Sequence, residues 1–175
     1  MNLKVKNEDL NRLTVEQFKS ANKKPIIVIL DNIRSLFNIG SVFRTSDAFR
    51  IEHVYLCGIT ATPPHREINK SALGATESVS WSYSETTLAA IEECKEKGYE
   101  ILAVEQADQS QEPHLFKPSK NGVALIFGHE VDGVAQEVID QSDAVIEIKQ
   151  EGTKHSLNIS VSAGVVLYEF SKKFS

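Results

Sequence analysis

The chain reads as an α/β domain: a mostly parallel sheet with helices on both faces. Three observations predict this. Short apolar runs alternate with amphipathic stretches along the sequence, as when strands are joined by crossover helices. IIVIL at 26–30 is unbroken by polar residues and rich in β-branching, as in a strand buried on both faces. Gly58, Glu105, Gly128 and Ile148 all fall at or just past predicted strand ends, the edge where parallel sheets bind ligands.

The elements follow in order. TVEQ at 14–17 fits a capping box, with Thr14 as N-cap and Gln17 three residues on, so a short N-terminal helix is expected. Residues 1–24 form a helical extension and residues 25–175 one domain. After the strand at 26–30 comes a helix at 38–49, then a strand at 53–59. Residues 62–78 are dense in turn signals and read as a long functional loop. A helix at 86–98 closes on Gly98. Strands at 99–105 and 122–128, a helix at 135–141 and a strand at 144–148 follow. The segment 156–173 is a helix with two apolar faces, one of Leu157, Val161, Val165 and Tyr168, the other of Ile159, Val166 and Phe170. Such a helix is buried on more than one side, in a dimer interface or in a deep core.

Bulk properties narrow the function. Hydrophobic residues make up 41% and charged residues 25%, ordinary for a globular domain. The net charge of −5 argues against coating nucleic acid non-specifically. It leaves room for a local basic patch: Arg34, Arg44, Arg50, His65, Arg66 and Lys70 crowd between positions 34 and 70, whereas acids gather at 85–112. Cys57 and Cys94 have no metal-like or redox spacing and read as buried thiols. No metal site is expected. No apolar run resembles a signal peptide or spans a bilayer, which predicts a cytoplasmic protein without a membrane partner.

Three segments carry candidate chemistry. In NIGSVFRTSDAF at 38–49, Asn38 and Arg44 lie six apart and so do not share a helical face. Asn38 can cap the helix and help form an anion site; the plain alternative is a cap with a surface arginine. In FGHEVDG at 127–133, Gly128 allows close backbone approach to a ligand. Glu130 follows a buried strand, where a carboxylate needs a partner. Arg44, a ribose hydroxyl or the N-terminus of the following helix would serve. A histidine is the side chain suited to proton transfer near neutral pH, so His129 reads as a general base or an exposed loop residue. In HSLNISVSAG at 155–164, Ser156 can cap the last helix, Leu157 can press a flat ligand, and Asn158 can donate and accept. No Ser-His-Asp arrangement, Walker loop or GxGxxG is present.

In this order the segments resemble the three motifs of the SpoU/TrmH branch of the SPOUT methyltransferases, over roughly residues 25–171. The matching positions are Asn38 and Arg44; Phe127, Gly128 and Glu130; and Ser156, Leu157 and Asn158. The resemblance implies a C-terminal deep trefoil knot, a homodimer through the C-terminal helix, and S-adenosylmethionine as cofactor. Gly128, Ile148, Leu157 and Glu105 would form its pocket. It implies methyl transfer to a ribose 2′-hydroxyl of RNA, with tRNA favoured over rRNA. Arg44, Asn38, Glu130, Ser156 and Asn158 would be the catalytic set, with Glu130 orienting Arg44. Lys149 and Gln150 depart from the family's usual residues after Ile148. The competing class is a non-catalytic RNA-binding knot domain.

Overall fold

The computed structural model describes residues 1–174. A single 3-10 turn (Asn7–Leu10) precedes α1 (Val15–Ser20). The capping box there forms: Thr14 Oγ1 accepts from Gln17 N, and Gln17 Oε1 accepts from Thr14 N.

The strands are β1 (Lys24–Asp31), β2 (Ile51–Cys57), β3 (Trp81–Ser84), β4 (Glu100–Val104), β5 (Ser110–Gln111), β6 (Val123–Phe127) and β7 (Ala144–Ile146). They form one sheet in the order β3-β2-β1-β6-β4-β7-β5, and every pairing is parallel. The remaining helices are α2 (Leu36–Ala48), α3 (Arg66–Ala72), α4 (Ala75–Ser78), α5 (Thr87–Glu96), α6 (Gln136–Asp140) and α7 (Ile159–Lys173).

Burial on both faces explains the apolar strands. Ile26, Val28 and Leu30 of β1 enter one core with residues of α2 and α7, while Ile27 and Ile29 enter a second core with residues of α5 and α6. The period-2 alternation of a strand therefore needs apolar residues at every position. Cys57 and Cys94 lie in the second core as free thiols; burial pushes both up to about 12.

Several sequence expectations are corrected. The segment 62–78 is not a loop but carries α3 and α4. Ile68, Ser71 and Ala72 of α3 are buried, and α3 packs so tightly on α2 that Gly40 has no room for a side chain beside Ser71 and Ile68. A seven-residue helix is too short to show a period. β3 and β5 also lacked a readable pattern, being four and two residues long. α2 starts at Leu36 with Ser35 as N-cap, not at Asn38. α7 starts at Ile159 with Asn158 as N-cap, so Ser156 does not cap it.

The two apolar faces of α7 have different fates. Ile159, Val166 and Phe170 are buried, whereas Val161, Val165 and Tyr168 are 52%, 40% and 52% exposed. A deep core helix would hide both faces. No helix among the described residues is long and apolar enough to cross a membrane.

Candidate active site

The order of the sheet creates the site. The chain builds β1, β2 and β3 outward in one direction, then places β4 on the far side of β6. Where winding reverses, a crevice opens at the carboxyl ends of the strands. A cavity of about 630 Å³ lies there, lined from the ends of β4 (Val104, Glu105), β6 (Phe127, Gly128) and β7 (Ile146, Ile148) and from 155–159. That volume suits a small-molecule ligand.

The turn after β6 shapes one wall. His129 and Gly133 exchange backbone hydrogen bonds, His129 N to Gly133 O at 3.1 Å and Gly133 N to His129 O at 2.9 Å. Gly133 sits at φ +70°, a conformation natural to glycine. An added Cβ on Gly128 would stand closer than 3.0 Å to backbone atoms of Gly133 and Val134. Glu105 braces this turn: its carboxylate accepts Val134 N at 3.0 Å and Gln106 N at 2.8 Å. His129 Nδ1 lies 3.3 Å from Val131 N and 3.2 Å from Asp132 N as an acceptor. That ring nitrogen holds the turn. Asp132 Oδ2 stands 3.1 Å from the same nitrogen, a contact that becomes a hydrogen bond only when Nδ1 carries a proton and so no longer accepts from the two backbone N–H groups.

Glu130 belongs to a different structure from the one expected. It accepts Arg34 N at 3.0 Å and Ser35 N at 2.9 Å, together with Asn38 Nδ2 at 3.3 Å. It therefore caps the N-terminus of α2, where orphan N–H groups and the helix dipole favour a carboxylate. Burial pushes its carboxyl up; the N–H groups of Arg34 and Ser35, its own N–H and the Asn38 amide outweigh that and hold it below the usual range. The expected Glu130–Arg44 pairing is absent among the described residues.

Asn38 is buried, with 5% exposure. Its carbonyl oxygen accepts Asn158 Nδ2 at 3.2 Å. Asn158 Oδ1 in turn caps α7 through Ser160 N at 2.9 Å. Asn38, Glu130 and Asn158 thus form one hydrogen-bonded chain at the cavity rim, and it joins the three segments marked in the sequence. Ser156 and Leu157 line the cavity, exposed.

Arg44 lies elsewhere. Six residues beyond Asn38, it stands about 9 Å along the helix axis. It is exposed and borders a second cavity. Gln106 was missed from the sequence: its Nε2 donates to His155 O at 2.6 Å, tying the end of β4 to the segment before α7. Its place directly after Glu105 at a strand end was the available signal. Lys149 turns away to pair with Glu112 at 3.2 Å. No group of metal-ligating side chains occurs among the described residues.

With this geometry in place, the comparisons are specific. Residues 25–168 match the SpoU rRNA Methylase family, and the chain belongs to it. It is 30% identical over 151 residues to the 23S rRNA (guanosine-2'-O-)-methyltransferase RlmB of Neisseria meningitidis, covering 86% of this chain and 60% of the relative. It is 29% identical over 160 residues to the tRNA (guanosine(18)-2'-O)-methyltransferase of Aquifex aeolicus, covering 86% of this chain and 71% of that one. The crystal structure of an AdoMet-bound rRNA methyltransferase from Sinorhizobium meliloti superposes with a TM-score of 0.80 at 25% identity, over 88% of this chain and 58% of that one. The chain thus spans less than two thirds of the Neisseria and Sinorhizobium proteins.

Proposed function

We propose that this chain is an RNA ribose 2′-O-methyltransferase that uses S-adenosylmethionine, with tRNA as substrate ahead of rRNA. The observation that carries the reading is the Glu130–Asn38–Asn158 chain at the rim of the strand-end cavity. The residues present fit the cofactor: Gly128 leaves backbone bare beside the Gly133 turn, and Ile148 and Leu157 give apolar walls. Glu105 and Glu147 put carboxylates nearby, suited to a sulfonium cation. When bound, the cofactor supplies a methyl group activated for in-line displacement, so positioning carries much of the rate.

The protein's residues position the acceptor. Asn158 and Ser156 hold the ribose at the rim, while Glu130 and Asn38 fix Asn158 and the start of α2. Arg44 binds the phosphate and the reacting ribose; a guanidinium stays charged at working pH and so serves as an electrostatic clamp. One chain sets Arg44 beside the second cavity; in the proposed dimer two chains pair through the exposed face of α7, and each brings its Arg44 to the other's cofactor cavity. The segment from β6 to α7 forms the trefoil knot expected of the family, a reading supported by the insertion of β6 between β1 and β4 and by the Gln106–His155 tie. The preference for tRNA rests on the likeness to the Aquifex enzyme, of which this chain covers 71%.

Calorimetric titration with S-adenosylhomocysteine tests the cofactor site, with micromolar binding at about one site per chain expected. Incubation with S-adenosylmethionine and tRNA or rRNA, followed by nucleoside mass spectrometry, is expected to show a 2′-O-methylated nucleoside in tRNA. Failure to bind the homocysteine product even with RNA present would favour the non-catalytic reading.

A further inference from the structure

The second cavity, about 510 Å³, differs in chemistry from the first. Its walls come from three stretches distant in sequence: 11–18 of the N-terminal extension, Arg44 to Arg50 of α2 and its end, and 72–78 between and within α3 and α4. Three guanidinium groups border it, those of Arg12, Arg44 and Arg50, all on exposed residues. Two acids, Asp47 and Glu77, also line it, and Asp47 accepts from the Ser78 hydroxyl; the arginines outnumber them. On a chain of net charge −5, this concentration of arginine is a local reversal of sign.

The backbone frames the cavity. Among the described residues, four that are not glycine have positive φ: Asn11, Asn32, Arg50 and Leu73. Three of them, Asn11, Arg50 and Leu73, line this cavity. Asn11 and Leu73 are the C-caps of the 3-10 turn and of α3, and Arg50 follows the C-cap of α2, so the cavity is framed by three helix ends that stop in the left-handed conformation. Leu73, at φ 49° and 65% exposed, presents an apolar surface beside the arginines.

We infer that this second cavity is a nucleotide-sized subsite for the RNA strand, where Arg12 and Arg50 grip a phosphodiester flanking the one bound by Arg44. Leu73 covers the sugar or base edge. The inference rests on the RNA methyltransferase reading. It also accounts for the extension, whose residues 11–18 form a wall of the substrate site.

The probe is unfractionated tRNA, with binding followed by fluorescence anisotropy across a salt series. In the Arg12→Gln/Arg50→Gln variant, the slope of log affinity against log salt is expected to fall by about 1–2 in magnitude. S-adenosylhomocysteine affinity is expected to stay within about twofold, since neither side chain borders the first cavity. Glu77→Gln, which removes one of the two opposing charges, is expected to tighten RNA binding. A wild-type protein that methylates RNA, paired with a double variant of unchanged slope and affinity, overturns the subsite alone. A wild-type protein that neither binds nor methylates RNA overturns the parent reading and the subsite together.

Discussion

Asn158 Nδ2 donates to Asn38 Oδ1 across 3.2 Å, joining the cap of α7 to the first turn of α2. The two residues are 120 apart in the chain. The Asn38 amide passes the connection on to Glu130, so each residue's orientation depends on the others. Asn38→Asp keeps the shape but replaces the donor facing Glu130 with an acceptor. It is expected to lower stability at pH 7 by about 1–3 kcal/mol, measured by urea unfolding. Glu130 also sets a pH dependence. Its folded-state carboxyl is held low, so its contribution is present above the unfolded-state value and is lost as pH falls through the lower folded one. Glu130→Gln should flatten the acid limb of the stability curve; an unchanged limb would show that the carboxylate does not cap α2.

His53 sets a second acid response, on the opposite face of the sheet. Its ring nitrogens engage Ser80 Oγ at 3.0 Å and Ser82 Oγ at 2.8 Å. Burial, and then the charge of Lys97, lower its pKa to about 4, against about 6.5 for an exposed histidine. The fold therefore favours the neutral ring. Its contribution is present above about pH 6.5 and drains away between pH 6.5 and 4, because the unfolded chain takes up the proton first. His53→Gln keeps a hydrogen-bonding side chain without this titration. Urea midpoints from pH 7 to 4 should fall less steeply in the variant than in the wild type.

Gly128 is the position where the cavity tolerates least. The atoms an added methyl would strike are backbone atoms of Gly133 and Val134, and Val134 N is pinned by Glu105. No side chain can swing aside. Gly128→Ala is expected to lower stability by about 1–3 kcal/mol and, because the displaced turn lines the cavity, to weaken S-adenosylhomocysteine binding by about tenfold or more. Normal affinity in the folded variant would remove this turn from the cofactor site.

The sequence was most legible where burial is continuous. Ile26–Leu30 and Val123–Phe127 could hardly be anything but central strands, because apolar residues at every position suit a sheet covered on both faces. The site was legible as three segments but not as a network. That Glu130 would cap α2 depends on where Ser35 starts that helix, and Asn38 masked this by being a good capping residue itself. α3 was unreadable because its packing depends on Gly40, remote in sequence, being small enough to admit Ser71. Gln106 was unreadable because its partner is a backbone carbonyl at His155, set by tertiary approach alone.

The proposed dimer rests on the exposed face of α7. Val161, Val165 and Tyr168 lie on one side of a helix whose other side is core, and apolar stripes of that kind mark interfaces. Val165→Asp puts a charge in the middle of the stripe without touching the core face. Sedimentation should show the wild type as a dimer and the variant as a folded monomer. A monomeric wild type would refute pairing through α7.

Arg44 makes the sharpest claim, because one chain holds it away from the cavity it is proposed to serve. Arg44→Ala should abolish methyl transfer while S-adenosylhomocysteine affinity stays within about twofold, since the residue does not line the cofactor cavity. Arg44→Lys should recover little, because an ammonium cannot reproduce the planar fork. If each Arg44 serves the partner's cavity, an Arg44→Ala chain co-expressed with an Asn158→Ala chain yields mixed dimers with one complete site. Random pairing makes half the dimers mixed, so about a quarter of wild-type activity should return from two inactive parents. No recovery from isolated mixed dimers would mean that each chain uses its own arginine. Arg44 would then have to travel from the second cavity to the first within one chain, and crossing between chains would have to be abandoned.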